Sequence, residues 1–227
     1  MHHRFIAIGG GGATHAADPA LDDFVLAHAG QQHPRVGYIG WAATDADAEV
    51  RLRNLRAQWA HSCEVIDALP PDTTPAAAAR WLDAFDVLYA AGGNALRLLQ
   101  ALRNTGLDHA VPQAMQRGLL LVGVSAGAAV WFDCALSDAE GPGLRRLDGI
   151  GALPGSFCPH YDSEPERRPA FEAAIAQGDL PAGLAVDDGV AVLVTDGKPM
   201  AICSARAGGQ AWRVTAEQHL SQALVII

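Results

Sequence analysis

Ser125 stands in Gly123-Val124-Ser125-Ala126-Gly127, directly behind the apolar run Leu119-Leu120-Leu121-Val122 and directly ahead of Ala128-Ala129-Val130-Trp131-Phe132. A buried strand feeding a helix through a Gly-x-Ser-x-Gly turn is the setting in which a serine becomes a nucleophile. The turn forces the serine into strained backbone angles, and the flanking glycines let neighbouring backbone approach closely. The hydroxyl then projects at the positive end of the following helix. A glycine-rich turn that only packs a helix on a sheet is the plain alternative.

A serine hydroxyl attacks poorly at neutral pH unless a base removes its proton. The chain has nine histidines. His2 and His3 are terminal, His15 and His33 flank early loops, His28 and His61 lie near helix ends, and His109 and His219 sit beside polar residues. His160 differs, because Pro154-Gly155-Ser156-Phe157-Cys158-Pro159-His160-Tyr161-Asp162 reads as too irregular for a helix and too rich in aromatic and small residues for a solvated loop. It is the expected base. An acidic residue must fix its tautomer and stabilise the imidazolium. Asp188, at a strand end before Gly189, and Asp138, beyond the elbow helix, are both candidates, and Asp187 adjoins the first.

Backbone donors must already point at a developing oxyanion. Ala126 N–H is one expected donor. Gly92-Gly93-Asn94, after the strand Val87 to Tyr89 and before the helix Ala95 to Arg103, supplies others, from Gly92 and Gly93. Asn94 is a natural N-cap and a candidate substrate contact. The earlier cluster Gly9-Gly10-Gly11-Gly12 follows a strand but is not a phosphate cradle. Thr14 occupies the place of the third glycine of G-x-G-x-x-G, and no G-K-[ST] follows. This loop is expected to give close backbone approach beside the active site.

The elements that must position these residues alternate. Phe5 to Ile8, Val36 to Ile39, Val65-Ile66, Val87 to Tyr89 and Leu119 to Val122 read as strands. Leu21 to Ala29, Ala46 to Ala60, Pro75 to Ala84, Ala95 to Arg103 and His109 to Arg117 read as helices between them. That order predicts an α/β fold with a mostly parallel sheet covered by helices on both faces, ligands binding at the carboxyl ends of its strands. Beyond Phe132 the pattern changes. Pro169 to Ala176 reads as a helix, and Val186 to Val194, Met200 to Ser204 and Ala211 to Val214 read as short antiparallel strands, with a hairpin turn at Gly197-Lys198-Pro199.

At 227 residues, 50% hydrophobic and 18% charged, residues 1–227 are expected to form one α/β domain. A formal net charge of −9 argues against nucleic acid and anionic membranes as partners, since both demand a basic face. The expected partners are a short peptide substrate and, at most, a second copy of the chain. Cys63, Cys134, Cys158 and Cys203 are widely spaced without a C-x-x-C pair, so reduced thiols are expected rather than a zinc ribbon or disulfides. The N-terminal apolar stretch is too short for a signal peptide, and no segment has the roughly 20 apolar residues that span a bilayer. A cytoplasmic location is expected.

Ala91-Gly92-Gly93-Asn94 before a helix, Gly123-Val124-Ser125-Ala126-Gly127-Ala128 at the elbow and Pro159-His160-Tyr161 downstream resemble the peptidase E (aspartyl dipeptidase) and cyanophycinase family of serine peptidases. The resemblance implies a flavodoxin-like sheet related to class I glutamine amidotransferases, no metal or organic cofactor, and Ser125 and His160 as nucleophile and base. It implies an acidic residue where Asp188 stands, usually a glutamate, and an aspartate soon after the elbow, matched by Asp138 or Glu140. It also implies an exopeptidase that cuts after an N-terminal aspartate, with a basic residue beyond the histidine reading that side chain. Arg167 and Arg168 lie in such a segment. The rival readings are a cyanophycinase-like hydrolase of β-linked aspartyl-arginine and a non-catalytic small-molecule-binding protein on the same scaffold.

Overall fold

The computed structural model describes residues 3–217 and 221–224, so His2 and His219 lie outside the described residues. The first half runs β1 (Arg4–Ile8), a short 3-10 turn (Ala13–His15), α1 (Pro19–His28), β2 (Arg35–Ile39), α2 (Asp45–Gln58), β3 (Val65–Ala68), α3 (Pro75–Leu82), β4 (Val87–Ala90), α4 (Ala95–Asn104), α5 (Leu107–Arg117), β5 (Leu120–Val124) and α6 (Ala126–Ala129). The second half runs β6 (Phe132–Ser137), β7 (Arg145–Asp148), β8 (Leu153–Cys158), α7 (Arg167–Ala176), β9 (Gly183–Val186), β10 (Val190–Thr195), β11 (Lys198–Ser204), β12 (Ala211–Val214) and β13 (Ser221–Ala223).

The main sheet has seven strands in the order β11-β10-β1-β5-β4-β2-β3. From β1 to β3 its neighbours pair in parallel, while β10 and β11 run antiparallel at one edge. Its strands are apolar almost throughout because both faces are buried. In β1, Phe5 and Ala7 face one core, and Ile6 and Ile8 face the other. Leu21 and Val25 of α1 and Leu55 of α2 cover the second face. Leu82 of α3, Leu98 and Leu102 of α4, and Leu107, Val111 and Met115 of α5 cover the first, at the spacing that puts one helical stripe on a sheet.

A second sheet, in the order β13-β12-β9-β8-β6-β7, also packs on that first face. Phe132 and Phe157 stack in the layer between the sheets, their rings 5.0 Å apart. Phe171 and Ile175 of α7 close the other side of the second sheet.

Several sequence expectations change here. The segment Val186 to Val194 is not one strand. It divides at Asp187-Asp188-Gly189, leaving β9 in the second sheet and β10 in the first. β9 also pairs in parallel with β8 rather than antiparallel. Likewise, Trp131 and Phe132 do not continue the elbow helix: α6 ends at Ala129, and Phe132 opens β6. The segment from Pro154 to Cys158 is strand rather than irregular chain. In each case a buried apolar run has two faces to satisfy, and periodicity does not reveal which sheet supplies them. The turn between β10 and β11 falls at Asp196-Gly197, both at positive φ, as a two-residue hairpin favours.

Phe157→Ala should cost about 3–5 kcal/mol, because the ring is fully buried and its neighbours belong to two sheets that cannot collapse independently. Urea unfolding of the two proteins reads this directly, and a loss under 1 kcal/mol would contradict the packing described.

Candidate active site

Parallel pairing of β8 with β9 sets Cys158 opposite Ala185. Two residues beyond Cys158 comes His160, and three beyond Ala185 comes Asp188, so neighbouring strands deliver both side chains to the same end of the sheet. His160 Nδ1 lies 2.6 Å from Asp188 Oδ1. On the ring's other side, Nε2 lies 2.7 Å from Ser125 Oγ. The hydrogen bond to His160 is the largest influence on Asp188 and holds its carboxyl below the usual range despite partial burial. A carboxylate only accepts, so Nδ1 carries the proton and Nε2 is left to accept from the serine hydroxyl.

The elbow supplies the third member. Ser125 has φ 53° and ψ −119°, a strained conformation for a residue with a side chain. Its N–H donates 2.9 Å to Ile8 O, which locks the turn onto β1. A Cβ on Gly127 would overlap the carbonyl oxygen of Ala90, so only glycine lets α6 descend this close to β4. His160 also has positive φ, at 52°.

The N–H groups of Gly93 and Ala126 have no backbone carbonyl partner among the described residues. Gly93 lies in the loop after β4, and Ala126 opens α6 just beyond β5, the strand beside β4. Asn94 caps α4, its Oδ1 accepting from Arg97 N at 2.9 Å, and its Nδ2 donates to Ala139 O at 3.2 Å. The expectation of a cap is met. The side chain's two ends are thereby occupied within the fold.

Other expectations divide as follows. Asp187, adjacent to Asp188, turns away: its carboxylate accepts from Gln210 N and Trp212 Nε1, and burial pushes its carboxyl up. Asp138 and Glu140 are exposed in the turn after β6, where Asp138 O accepts from Gly141 N. Asp138 is therefore not the partner of His160, because the chain beyond α6 runs away as a strand instead of folding back. Arg167 and Arg168 differ in what their guanidinium groups meet. Arg167 is buried, with Nε donating to Glu164 and Nη1 to Leu136 O. Arg168 donates to Glu172 and lies 4.8 Å from the Trp212 ring and 5.4 Å from the Tyr161 ring. They open helix α7, which buries the Arg167 side chain and leaves Arg168 at the surface against Glu172 and the two rings.

The first glycine loop does approach the site. A Cβ on Gly10 would overlap Asp188 Oδ1 and stand 2.8 Å from His160 Cε1. Two residues not singled out in the sequence border this loop: His15 and Arg51 of α2. The pKa of His15 is lowered, first by burial and then by Arg51, and it also feels the charges of His160 and Asp188. Nothing in the local pattern of α2 distinguishes Arg51 from the solvated charges around it.

Comparisons with known proteins give the family. The model of "Peptidase family S51" matches residues 5–202. The chain belongs to peptidase family S51. This peptidase is 34% identical over 222 residues to the uncharacterized peptidase YgaJ of Bacillus subtilis (strain 168), covering 95% of this chain and 94% of that one. It is 34% identical over 87 residues to peptidase E of Streptomyces coelicolor, a match covering 37% of this chain and 36% of that one. The crystal structure of a peptidase from an acI-B1 Actinobacterium shares the fold, with a TM-score of 0.76 at 18% identity over 100% of this chain and 95% of that one. No helix among the described residues is long and apolar enough to cross a membrane. All four cysteines are free thiols.

Two outcomes test this site. Gly10→Ala should leave the fold intact but push Asp188 off His160, reducing hydrolysis at least about tenfold, since a misplacement near 1 Å costs up to 100-fold; unchanged turnover would mean that the loop yields. Asp22, which holds the first glycine loop by accepting from Ala13 N at 2.9 Å, has its carboxyl pushed up to about 6, chiefly by burial. The folded chain then holds this proton more tightly than the unfolded chain, so stability should fall as pH rises from about 4 to about 6. Comparing urea midpoints across that window in wild type and Asp22→Asn checks the sign, because the variant should lack this slope.

Proposed function

We propose that this peptidase is a serine exopeptidase of short peptides, among them dipeptides with an N-terminal aspartate, and that Ser125, His160 and Asp188 form its catalytic triad. The observation that carries the reading is the continuous hydrogen-bonded chain from Asp188 through His160 to Ser125 at the carboxyl ends of the strands. The restriction to short peptides and to N-terminal aspartate rests on the motif resemblance and on the relative named peptidase E.

In the first half-reaction Ser125 Oγ bonds to the substrate carbonyl carbon while its proton passes to His160 Nε2. Asp188 holds the ring in the tautomer that can accept and stabilises the imidazolium as it forms. The N–H groups of Gly93 and Ala126 are the proposed oxyanion donors, with Gly92 shaping the loop that carries the first of them. Collapse of the tetrahedral species breaks the C–N bond, and the proton on Nε2 leaves with the amine. Water, deprotonated by the same nitrogen, then opens the acyl-enzyme and restores Ser125. Every proton is accounted for by these side chains and water.

A fluorophosphonate probe should label the wild-type protein and fail to label Ser125→Ala. Wild-type protein that resists the probe and hydrolyses no peptide would sink the reading in favour of a binding protein. Asp188→Asn should keep the geometry but favour the wrong tautomer, lowering kcat by on the order of 10³–10⁴ with little change in KM. A drop of similar size in Asp138→Asn would contradict the assignment of the acid.

A further inference from the structure

Arg167 is buried and Arg168 lies at the surface beside Glu172 and Trp212, whereas a different guanidinium reaches the nucleophile's own surroundings. Arg51 Nη1 donates 2.6 Å to the carbonyl oxygen of Gly92. Gly92 lies against the nucleophile: a Cβ there would be 3.1 Å from Ser125 Cβ and 3.6 Å from Ser125 Oγ. The direction of Arg51 is set by helix α2. Leu55 and Trp59, four and eight residues on, are buried on the main sheet, and Asn54 Nδ2 donates 3.1 Å to Thr14 O, pinning the helix to the first glycine loop.

Arg51 is half-buried and, among the described residues, has no carboxylate within ion-pair distance. The acidic residues of the same helix do not serve it. Asp45, Asp47 and Glu49 are exposed, and Asp47 accepts from Thr44. An unpaired, partly desolvated arginine is unexpected in a chain with 25 acidic and 16 basic residues, where partners are plentiful. One of the five guanidinium donors is spent on Gly92 O, and the planar fork that remains matches a carboxylate. The chain's net charge of −9 repels anionic substrates at a distance, so a bound carboxylate needs a local cation.

We propose that Arg51 determines specificity at this site by binding a carboxylate of the substrate peptide, either an acidic side chain beside the scissile bond or the free C-terminal carboxylate of a dipeptide. The proposal rests on the serine-peptidase reading above. Gly92 O fixes the height of the guanidinium over the loop, so the peptide is held by its anionic group as its carbonyl carbon meets Ser125.

The test compares wild type, Arg51→Ala and Arg51→Lys on Asp-Leu, Ala-Leu, Asp-Leu-amide and Ala-Leu-amide. Loss of an arginine partner to a bound carboxylate should lower kcat/KM roughly 30-fold or more for peptides that carry the recognised group. A collapse of the Asp-Leu to Ala-Leu ratio in Arg51→Ala identifies the side chain as that group. A collapse of the Ala-Leu to Ala-Leu-amide ratio identifies the C-terminal carboxylate. Arg51→Lys keeps the charge and should restore part of whichever ratio fell, which also guards against a misfolded alanine variant. An equal fall in kcat on all four peptides would overturn the proposal, since Arg51 would then merely prop the Gly92 carbonyl. Unchanged ratios in both variants would overturn it too. Fluorophosphonate labelling separates the two ideas: a labelled wild type with unaltered ratios leaves the serine reading standing, whereas an unlabelled wild type sinks both.

Discussion

The crossing of the chain from one sheet to the other at Asp187-Asp188-Gly189 is the constraint on which the site depends. β9 ends in the second sheet beside β8, and β10 begins in the first beside β1. The three residues between must span the seam, where Gly189 N donates 2.9 Å to Gly10 O. His160 arrives from the second sheet and Ser125 from the first. Their hydrogen bond therefore joins two packed layers, between which Phe5 of β1 and Phe132 of β6 meet edge to face at 5.9 Å.

Two adjacent carboxylates show how environment divides roles. Asp188 meets an imidazole, and that hydrogen bond keeps it ionised. Asp187 is more deeply buried and is held by the Gln210 N–H and the Trp212 indole, which tie the crossing to β12 and the chain just before it. The same division applies to the arginines. Arg167 and Arg168 hold the segment beyond His160 against β6, Tyr161 and Trp212, whereas Arg51 keeps most of its donors for something outside the fold. Function and stability thus fall to residues of identical type, separated by what packs around them.

Two of the residues at this place also carry backbone strain. Ser125 and His160 both have positive φ, which costs on the order of 1–3 kcal/mol each. Burial of both faces of the main sheet supplies the rigidity that sustains it, and the N–H of Ser125 is fixed to β1. A serine so held cannot relax away from His160, which is the preorganisation that acyl transfer needs.

The sequence by itself determined the parallel half of the main sheet, the elbow and the cap at Asn94, because each is written in local pattern: apolar runs, turn glycines and a capping residue between them. It singled out His160 by its segment, while the hydrogen bond from His160 to Ser125 is a contact across the two sheets. It also showed that the first glycine loop lacked the spacing of a phosphate cradle, and close approach at Gly10 is what the structure contains. Only the tertiary structure decided between Asp188 and Asp138, since that choice depends on β8 and β9 being parallel neighbours across 24 intervening residues. The second sheet escaped detection for the same reason: a strand buried by a distant strand has no local signature of its partner. Arg51 was illegible because its meaning lies in an absent counter-charge and in Gly92, 41 residues away, neither of which a helix's own charge pattern can display.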